Sequence, residues 1–365
     1  LKRSKFGGIL AGDRRPKCDT IRADRSTARV EPTTRGVAMS GPYQPIDRRD
    51  LFALSAAAGA ALLAKPQAAF ADEPKRKRYP MKKSINQWAF PYPDKMNLEK
   101  CLRLAKDAGF DGIELNYDLD NDLSPKSGAK EYAAIRKLAD TIGIQISGLC
   151  SFLFWPYPLV SNDNTKRARG YELAQKMTQA AHDLGVENLL VVPGAVHIPW
   201  RTDHEPVAND VCDKRARESI GKLLPGAEKL KVSLNIENIF FNGYLMTPAE
   251  MADFVDSFKS EWVKVHFDTG NIMQYQFPEH WIKQLGKRIK NVHLKEFTKK
   301  GTDSSLEAFR PLLDGTTNWP AVMEAFDETG YKEYLTFEYF HPYAHYPEAL
   351  IYQTADSLDR LLGMK

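Results

Sequence analysis

Four residues in the second half of the chain have the types and the spacing of a chemical centre: Glu237, Asp268, His293 and Glu338. Each closes a short apolar run: Leu234-Asn235-Ile236-Glu237, Val265-His266-Phe267-Asp268, Asn291-Val292-His293 and Leu335-Thr336-Phe337-Glu338. One such carboxylate can be a salt-bridged core residue. Four successive runs, each ending in an acid or a histidine, form a different pattern. Three carboxylates brought together repel one another and push their own pKa values upward. A divalent cation among them removes that penalty. Oxygen-rich ligation with one imidazole suits Mn, Mg or Co, with Zn also compatible. One divalent ion, Mn by preference, is therefore expected on Glu237, Asp268, His293 and Glu338.

These residues need a scaffold that gathers strand ends. From residue 84 onward, short β-rich runs alternate with longer amphipathic stretches. The runs are Ser84–Phe90, Gly112–Tyr117, Gln145–Leu153, Asn188–Val192, Ser233–Ile239, Val263–Asp268, Ile289–Phe297 and Tyr334–Phe340. Helices are expected near 96–108, 129–142, 164–184, 210–230, 247–259, 278–287, 317–329 and 346–363. Gly109 follows one of them as a glycine just past a helix end would. Thr247-Pro248-Ala249-Glu250 reads as an N-cap, a first-turn proline and a reciprocal glutamate. Eight such units predict an α/β fold, a (β/α)8 TIM barrel, whose chemistry sits at the C-terminal ends of the strands. The alternative is an open doubly wound sheet, which wants a glycine-rich loop after its first strand. That position reads Trp88-Ala89-Phe90-Pro91-Tyr92-Pro93, and the chain has no GxGxxG or Walker motif, so a dinucleotide or P-loop reading has no support.

The segments Asn235-Ile236-Glu237-Asn238, Phe267-Asp268-Thr269-Gly270-Asn271 and Val292-His293-Leu294-Lys295-Glu296 resemble the xylose isomerase-like TIM barrels, the sugar-phosphate isomerase/epimerase group. Pro311-Leu312-Leu313-Asp314-Gly315, Asn318-Trp319-Pro320, Gly330-Tyr331 and Phe337-Glu338 are similar to the same family, and the resemblance spans roughly residues 84–360. Hydroxypyruvate isomerase, ketose 3-epimerases and inosose dehydratase belong to that group. The resemblance implies that Glu237, Asp268, His293 and Glu338 hold the metal. It also implies that Glu237 and Glu338 are catalytic, one removing a proton beside a carbonyl and the other returning one, through an enediolate. The implied activity is isomerisation or epimerisation of a small keto-sugar or hydroxy-keto acid, like that of hydroxypyruvate isomerase. A metal-assisted lyase or dehydratase acting on a keto-sugar or keto-glycoside is the alternative from the same chemistry. The chain departs from many relatives at Asn271, where they place a histidine. No arginine follows His293 closely, and Lys299 or Lys300 is the nearest substitute. Strand four ends Val192-Pro193-Gly194 with no histidine before it. These departures weigh against a metal-dependent endonuclease, and the full ligand set weighs against an inactive sugar-binding barrel.

Further residues are candidates for contact with the substrate. His266 and Lys295 lie two positions from Asp268 and His293, so each pair shares a face of its strand. His266 reads either as site support or as a hydrogen-bonded core histidine. Lys295 reads either as a site cation or as an ion-pair partner of Glu296 or another acid. Glu114 ends strand two and can contact substrate, orient a ligand or serve the structure. Asn271 follows Asp268 closely, and Trp88 and His341 fall in expected βα loops. The nearby aromatics Phe90, Phe154, Trp155 and Trp200 suit the apolar face of a sugar.

The chain carries a net charge of +4, but residues 1–78 hold 17 Lys/Arg and 8 Asp/Glu and so account for +9. The remainder is acidic by 5 charges, the reverse of a nucleic-acid-binding domain. Four irregularly spaced cysteines without a CxxC pair exclude a disulfide scaffold and a thiolate zinc site. Asp47-Arg48-Arg49-Asp50-Leu51-Phe52, an Ala-rich apolar run to Leu63 and Ala69-Phe70-Ala71 read in that order as a twin-arginine-type signal peptide over 39–71. The expected organisation is an over-extended or disordered start over 1–38, the signal, a linker over 72–83 and one barrel domain over 84–365. The run is too short to anchor in a bilayer. The mature protein is then expected to be exported to the periplasm, to act on a small carbohydrate or keto acid, and to bind neither nucleic acid nor membrane. Its oligomeric state is open, a homo-oligomer included.

Overall fold

A computed structural model describes residues 77–198, 201, 203, 205–299 and 306–365. The expected signal over 39–71, the segment 1–38, residues 72–76 of the linker, Trp200 and Lys300 lie outside the described residues. Eight strands build a closed parallel barrel: β1 (Lys82–Asn86), β2 (Gly112–Tyr117), β3 (Gln145–Ser151), β4 (Asn188–Val191), β5 (Ser233–Glu237), β6 (Val263–Asp268), β7 (Ile289–Leu294) and β8 (Tyr334–Phe337). Each hydrogen-bonds to its sequence neighbours, and β1 closes the ring by pairing with β8 through Ile85 opposite Phe337. Eight helices alternate with them: α1 (Leu98–Asp107), α2 (Ala129–Ile142), α3 (Asn164–Leu184), α4 (Asn209–Leu230), α5 (Pro248–Asp256), α6 (Pro278–Leu285), α7 (Trp319–Glu328) and α8 (Pro347–Leu361). This is the predicted (β/α)8 barrel.

Alternation along each strand sorts its side chains. On β5, Leu234 and Ile236 are fully buried under the helices, as are Val265 and Phe267 on β6 and Val292 and Leu294 on β7. Phe267 stacks on Trp281 of α6 with ring centroids 5.9 Å apart. The other positions, such as Asn235, His266 and Asn291, fill the barrel interior with polar groups instead of the branched apolar layers usual in this architecture. Helix starts follow local chemistry. Asn97 caps α1, Asp163 caps α3, and Thr247 with Glu250 forms the expected capping box on α5. Gly109 takes a positive φ of 92° just past α1, a conformation that favours glycine.

Seven strand boundaries differ from the sequence reading, three of them being the ends at Val191, Glu237 and Phe337 in place of Val192, Ile239 and Phe340. β1 starts at Lys82, inside the expected 72–83 linker, because Lys83 is drawn into the barrel foot by its 2.5 Å contact with Asp359. β1 stops at Asn86, not Phe90. The Asn86 Oδ1 accepts the Trp88 N–H at 2.8 Å and turns residues 87–89 into a single 3₁₀ turn. Ser151 does the same at the end of β3, accepting the Leu153 N–H at 3.1 Å. The run expected over Ile289–Phe297 breaks at Lys295, and Glu296–Phe297 leaves the barrel to pair antiparallel with Phe309–Arg310. At the ends of β1, β3 and β7 a side-chain-to-backbone bond or a change of partner ends a run whose hydrophobicity continues.

Candidate functional site

The C-terminal ends of β5 to β8 bring the four expected residues together. One donor atom from each of Glu237, Asp268, His293 and Glu338 lies within 4.8 Å of all the others, and all four residues are buried. The register explains this. Asp268 pairs directly with His293 across β6 and β7. Glu338 lies one residue past β8, yet its N–H still bonds to Leu294 O at 3.1 Å, so it holds a strand-like position. His293 Nδ1 faces Glu338 Oε2 at 3.4 Å and Glu237 Oε1 at 3.7 Å.

The loop after β6 fixes Asp268. Its Oδ1 accepts the N–H groups of Gly270 at 2.8 Å and Asn271 at 2.9 Å, so that only Oδ2 remains for the centre. Asn238 brackets the same peptide, accepting the Asp268 N–H at 2.9 Å and donating to Asp268 O at 2.8 Å. Asn271 donates to Asn238 O at 2.9 Å. Gly270 is required by space, since a Cβ there would stand 2.8 Å from Lys295 O. The Asp-Thr-Gly-Asn sequence is thus one device for aiming one carboxylate oxygen.

Glu114 aims the histidine. Its Oε2 lies 2.6 Å from His293 Nε2 and also accepts from Asn86 Nδ2 at 2.6 Å. A proton on Nε2 is donated to Glu114, and Nδ1 is left to face the carboxylates. A carboxylate behind a ligating imidazole is a common means of fixing its tautomer and raising its basicity.

The electrostatics are those of three carboxylates, an imidazole and the Lys295 ammonium packed together out of solvent. Burial pushes Glu237 up to about 7 and Asp268 up to about 6. Burial also opposes the charge of Glu338, but Lys295 and His293 outweigh it and hold that carboxyl well below its usual range. Burial opposes a charged His293 as well, and Glu114 and Glu338 overcome it and hold the imidazole well above its usual range. Asp268 Oδ2, Glu338 Oε2 and His293 Nδ1 are buried without an aligned hydrogen bond. These orphaned atoms are the ones that point at a common centre, and an oxygen-rich set with one imidazole suits a divalent cation. Donors on a shared ion at about 2.2 Å lie about 3.1–3.6 Å apart when adjacent, and His293 Nδ1 stands 3.4 Å and 3.7 Å from the two glutamate oxygens.

A family model described as a xylose isomerase-like TIM barrel matches residues 102–361. The chain belongs to that family. Among curated proteins it is similar to L-ribulose-5-phosphate 3-epimerase UlaE of Shigella flexneri serotype 5b, strain 8401. The two are 24% identical over 259 residues, which cover 70% of this chain and 86% of UlaE. Among solved structures it resembles a D-psicose 3-epimerase determined in the presence of D-fructose. There the TM-score is 0.62 at 20% identity, covering 78% of this chain and 100% of the other. It also resembles the IOLI protein with a bound zinc atom, with a TM-score of 0.65 at 18% identity over 78% of this chain and 99% of that one.

The remaining expected residues of this xylose isomerase-like barrel divide into two groups. Lys295 enters the ring, 2.8 Å from Asp268 Oδ2 and in contact with Glu338 Oε2, and does not pair with Glu296. Its partner on the loop side is Asn271 Oδ1 at 3.1 Å. His266 is fully buried with its ring 4.1 Å from that of His293. Burial first and the neighbouring His293 second hold its pKa well below the usual value. It is a neutral histidine whose nitrogens have no hydrogen-bond partner among the described residues. Trp88 stands at the rim, packed against Phe340 at 5.4 Å. His341 is exposed and meets Tyr339 edge-on at 5.6 Å, outside the ligand ring. Lys299 donates to Gln276 O at 3.2 Å and lies over the Phe277 ring, which ties it to the β6 loop and the start of α6. Glu296 proves structural, accepting from Trp319 Nε1 at 2.6 Å and Thr317 Oγ1 at 2.5 Å. Sequence reasoning missed Asn86, which tethers Glu114. Period-two reading of β1, which places Ser84 and Asn86 on one face, would have found it.

Proposed function

We propose that this chain is a divalent-metal-dependent isomerase or epimerase of a small keto-sugar or hydroxy-keto acid. The buried ring of Glu237, Asp268, His293 and Glu338 carries the reading. The names of the relatives, sugar 3-epimerases, support it. A bound ion supplies Lewis-acid polarisation of a carbonyl and its neighbouring hydroxyl. Asp268 and His293 are fixed by their outer partners and serve as ligands. Glu237 and Glu338 come from β5 and β8, with β6 and β7 between them around the barrel. A carbon held between them can lose a proton to one carboxylate and receive a proton from the other. Return to the neighbouring carbon gives isomerisation, and return to the opposite face of the same carbon gives epimerisation. The reading includes export, for which residues 39–71 are the support. N-terminal sequencing of the native protein tests this part, with a start at Asp72 expected.

The test of the reaction is solvent exchange. The protein is loaded with Mn²⁺ and incubated in D₂O with L-ribulose, L-ribulose 5-phosphate, D-psicose or hydroxypyruvate. Deuterium is expected at the carbon beside the carbonyl of at least one of them, and Glu237→Gln and Glu338→Gln are each expected to abolish its incorporation. Absence of metal in the wild type after reconstitution, or exchange that survives both substitutions, would refute the reading.

A further inference from the structure

We infer, on the basis of the metal-site reading above, that Lys295 is the internal counter-cation of the metal-free ring and a direct competitor of the metal. Its Nζ lies 2.8 Å from Asp268 Oδ2 and in contact with Glu338 Oε2, and both oxygens belong to the four-donor ring. The ammonium thus already neutralises the two oxygens that an ion would use. An ion bonded to the same two oxygens at about 2.0–2.2 Å would stand within a few ångströms of the ammonium, and the two cations would repel each other.

Lys295 has somewhere to go without unfolding. Asn271 Oδ1 accepts from Nζ at 3.1 Å, and the rings of Phe309 and Phe340 flank it at 4.9 Å and 4.8 Å. These three partners lie outside the ligand set. The root of the side chain stays fixed, since the Lys295 N–H donates to Thr269 Oγ1 at 2.9 Å and Gly270 packs against its Cβ. Only the tip must move. Metal affinity is then the difference between two occupancies of one ring, ion and ammonium. Lys295 stabilises the ring before metal arrives and excludes ions that bind it weakly.

The experiment is a chelator competition for Mn²⁺ on wild type, Lys295→Met and Lys295→Gln, with thermal melts of the metal-free and loaded forms. Both substitutions are expected to tighten Mn²⁺ binding by tenfold or more. They are also expected to lower the Tm of the metal-free protein while leaving that of the loaded protein close to wild type. Equal or weaker binding in the variants, with wild type binding normally, overturns the role of Lys295 and leaves the metal site standing. A wild type that binds no Mn²⁺ overturns the metal site itself. If the metal-free variants do not fold, the rate at which EDTA strips Mn²⁺ from loaded protein decides. A slower loss than wild type supports the competition, and an equal or faster loss refutes it.

Discussion

Replacing Glu114 by glutamine tests whether the centre depends on a residue that never faces it. Glu114 Oε2 lies 2.6 Å from His293 Nε2 and the same from Asn86 Nδ2, with both ring and carboxylate inaccessible to solvent. Glutamine keeps the shape and one acceptor oxygen but loses the charge. A hydrogen bond to an ionised acceptor is about twice as strong as a neutral one, so the loss is about 1–1.5 kcal/mol. That corresponds to roughly tenfold in metal affinity, at the lower edge of what outer partners of metal ligands usually contribute. Alanine goes further, since it leaves the Nε2–H and the Asn86 amide without an acceptor. About a hundredfold is then expected. An opposing effect must be subtracted. In the metal-free protein Glu114 also helps hold the second proton on His293, so its neutralisation eases the release of that proton. This offset shrinks as pH rises. The loss for Glu114→Gln should therefore be larger near pH 8.5 than near pH 6.5. The assay is competition with a metallochromic chelator at both values. A Glu114→Gln affinity within twofold of wild type at the higher pH, while Glu237→Gln loses binding, would show that Glu114 does not orient His293.

Four further outcomes follow from the same geometry. Gly148→Ala would place a Cβ 2.8 Å from Glu114 Oε1 and 3.2 Å from Asn291 Nδ2. It should displace Glu114 and weaken Mn²⁺ binding about tenfold, read by the same competition, and unchanged binding would mean that the neighbours yield freely. Metal affinity should rise from about pH 6 to about pH 8, because bound metal requires deprotonated ligands and Glu237 is pushed up to about 7 by burial. The metal-free protein should show the opposite sign in thermal melts. A raised pKa favours the protonated fold, so the contribution of Glu237 is complete below its ordinary 4.5 and is lost as pH rises through about 7. Glu296→Ala removes the acceptor shared by Trp319, Thr317 and the Leu313 N–H. It should lower stability by about 3 kcal/mol in urea melts, and a loss below about 1 kcal/mol would mean that these donors find other partners.

The clustering of Glu237, Asp268, His293 and Glu338 was legible because each sits at a strand end and strands have a period of two. A polar residue at the close of an apolar run is visible in one dimension, and four such runs in order imply a common mouth once a barrel is inferred. The lengths of the strands were less legible. Hydrophobicity continues past Asn86 and Ser151, but the chain turns there because a side-chain oxygen captures the N–H two residues on. The break after Leu294 is of another kind, since Glu296 and Phe297 find partners in Phe309–Arg310 that no local pattern announces.

The roles of Glu114 and Lys295 were ambiguous in sequence for one physical reason. A carboxylate or an ammonium on an inward face is equally compatible with ligand support, substrate contact or a salt bridge, and only the identity of the partner decides. The partners are distant in sequence: His293 lies 179 residues from Glu114, and Asn271 lies 24 residues from Lys295. Asn271 meets Lys295 across the adjacent β6–β7 pair, whereas Glu114 meets His293 only after the ring closes through β1 and β8. The ligands are therefore written strand by strand. Their orientation is written in the closure of the barrel, where Glu114 on β2 reaches His293 on β7 across the β1–β8 seam. A substitution that loosens that seam should impair metal binding without touching a ligand, whereas an equal loss of stability on the β3–β4 side should not.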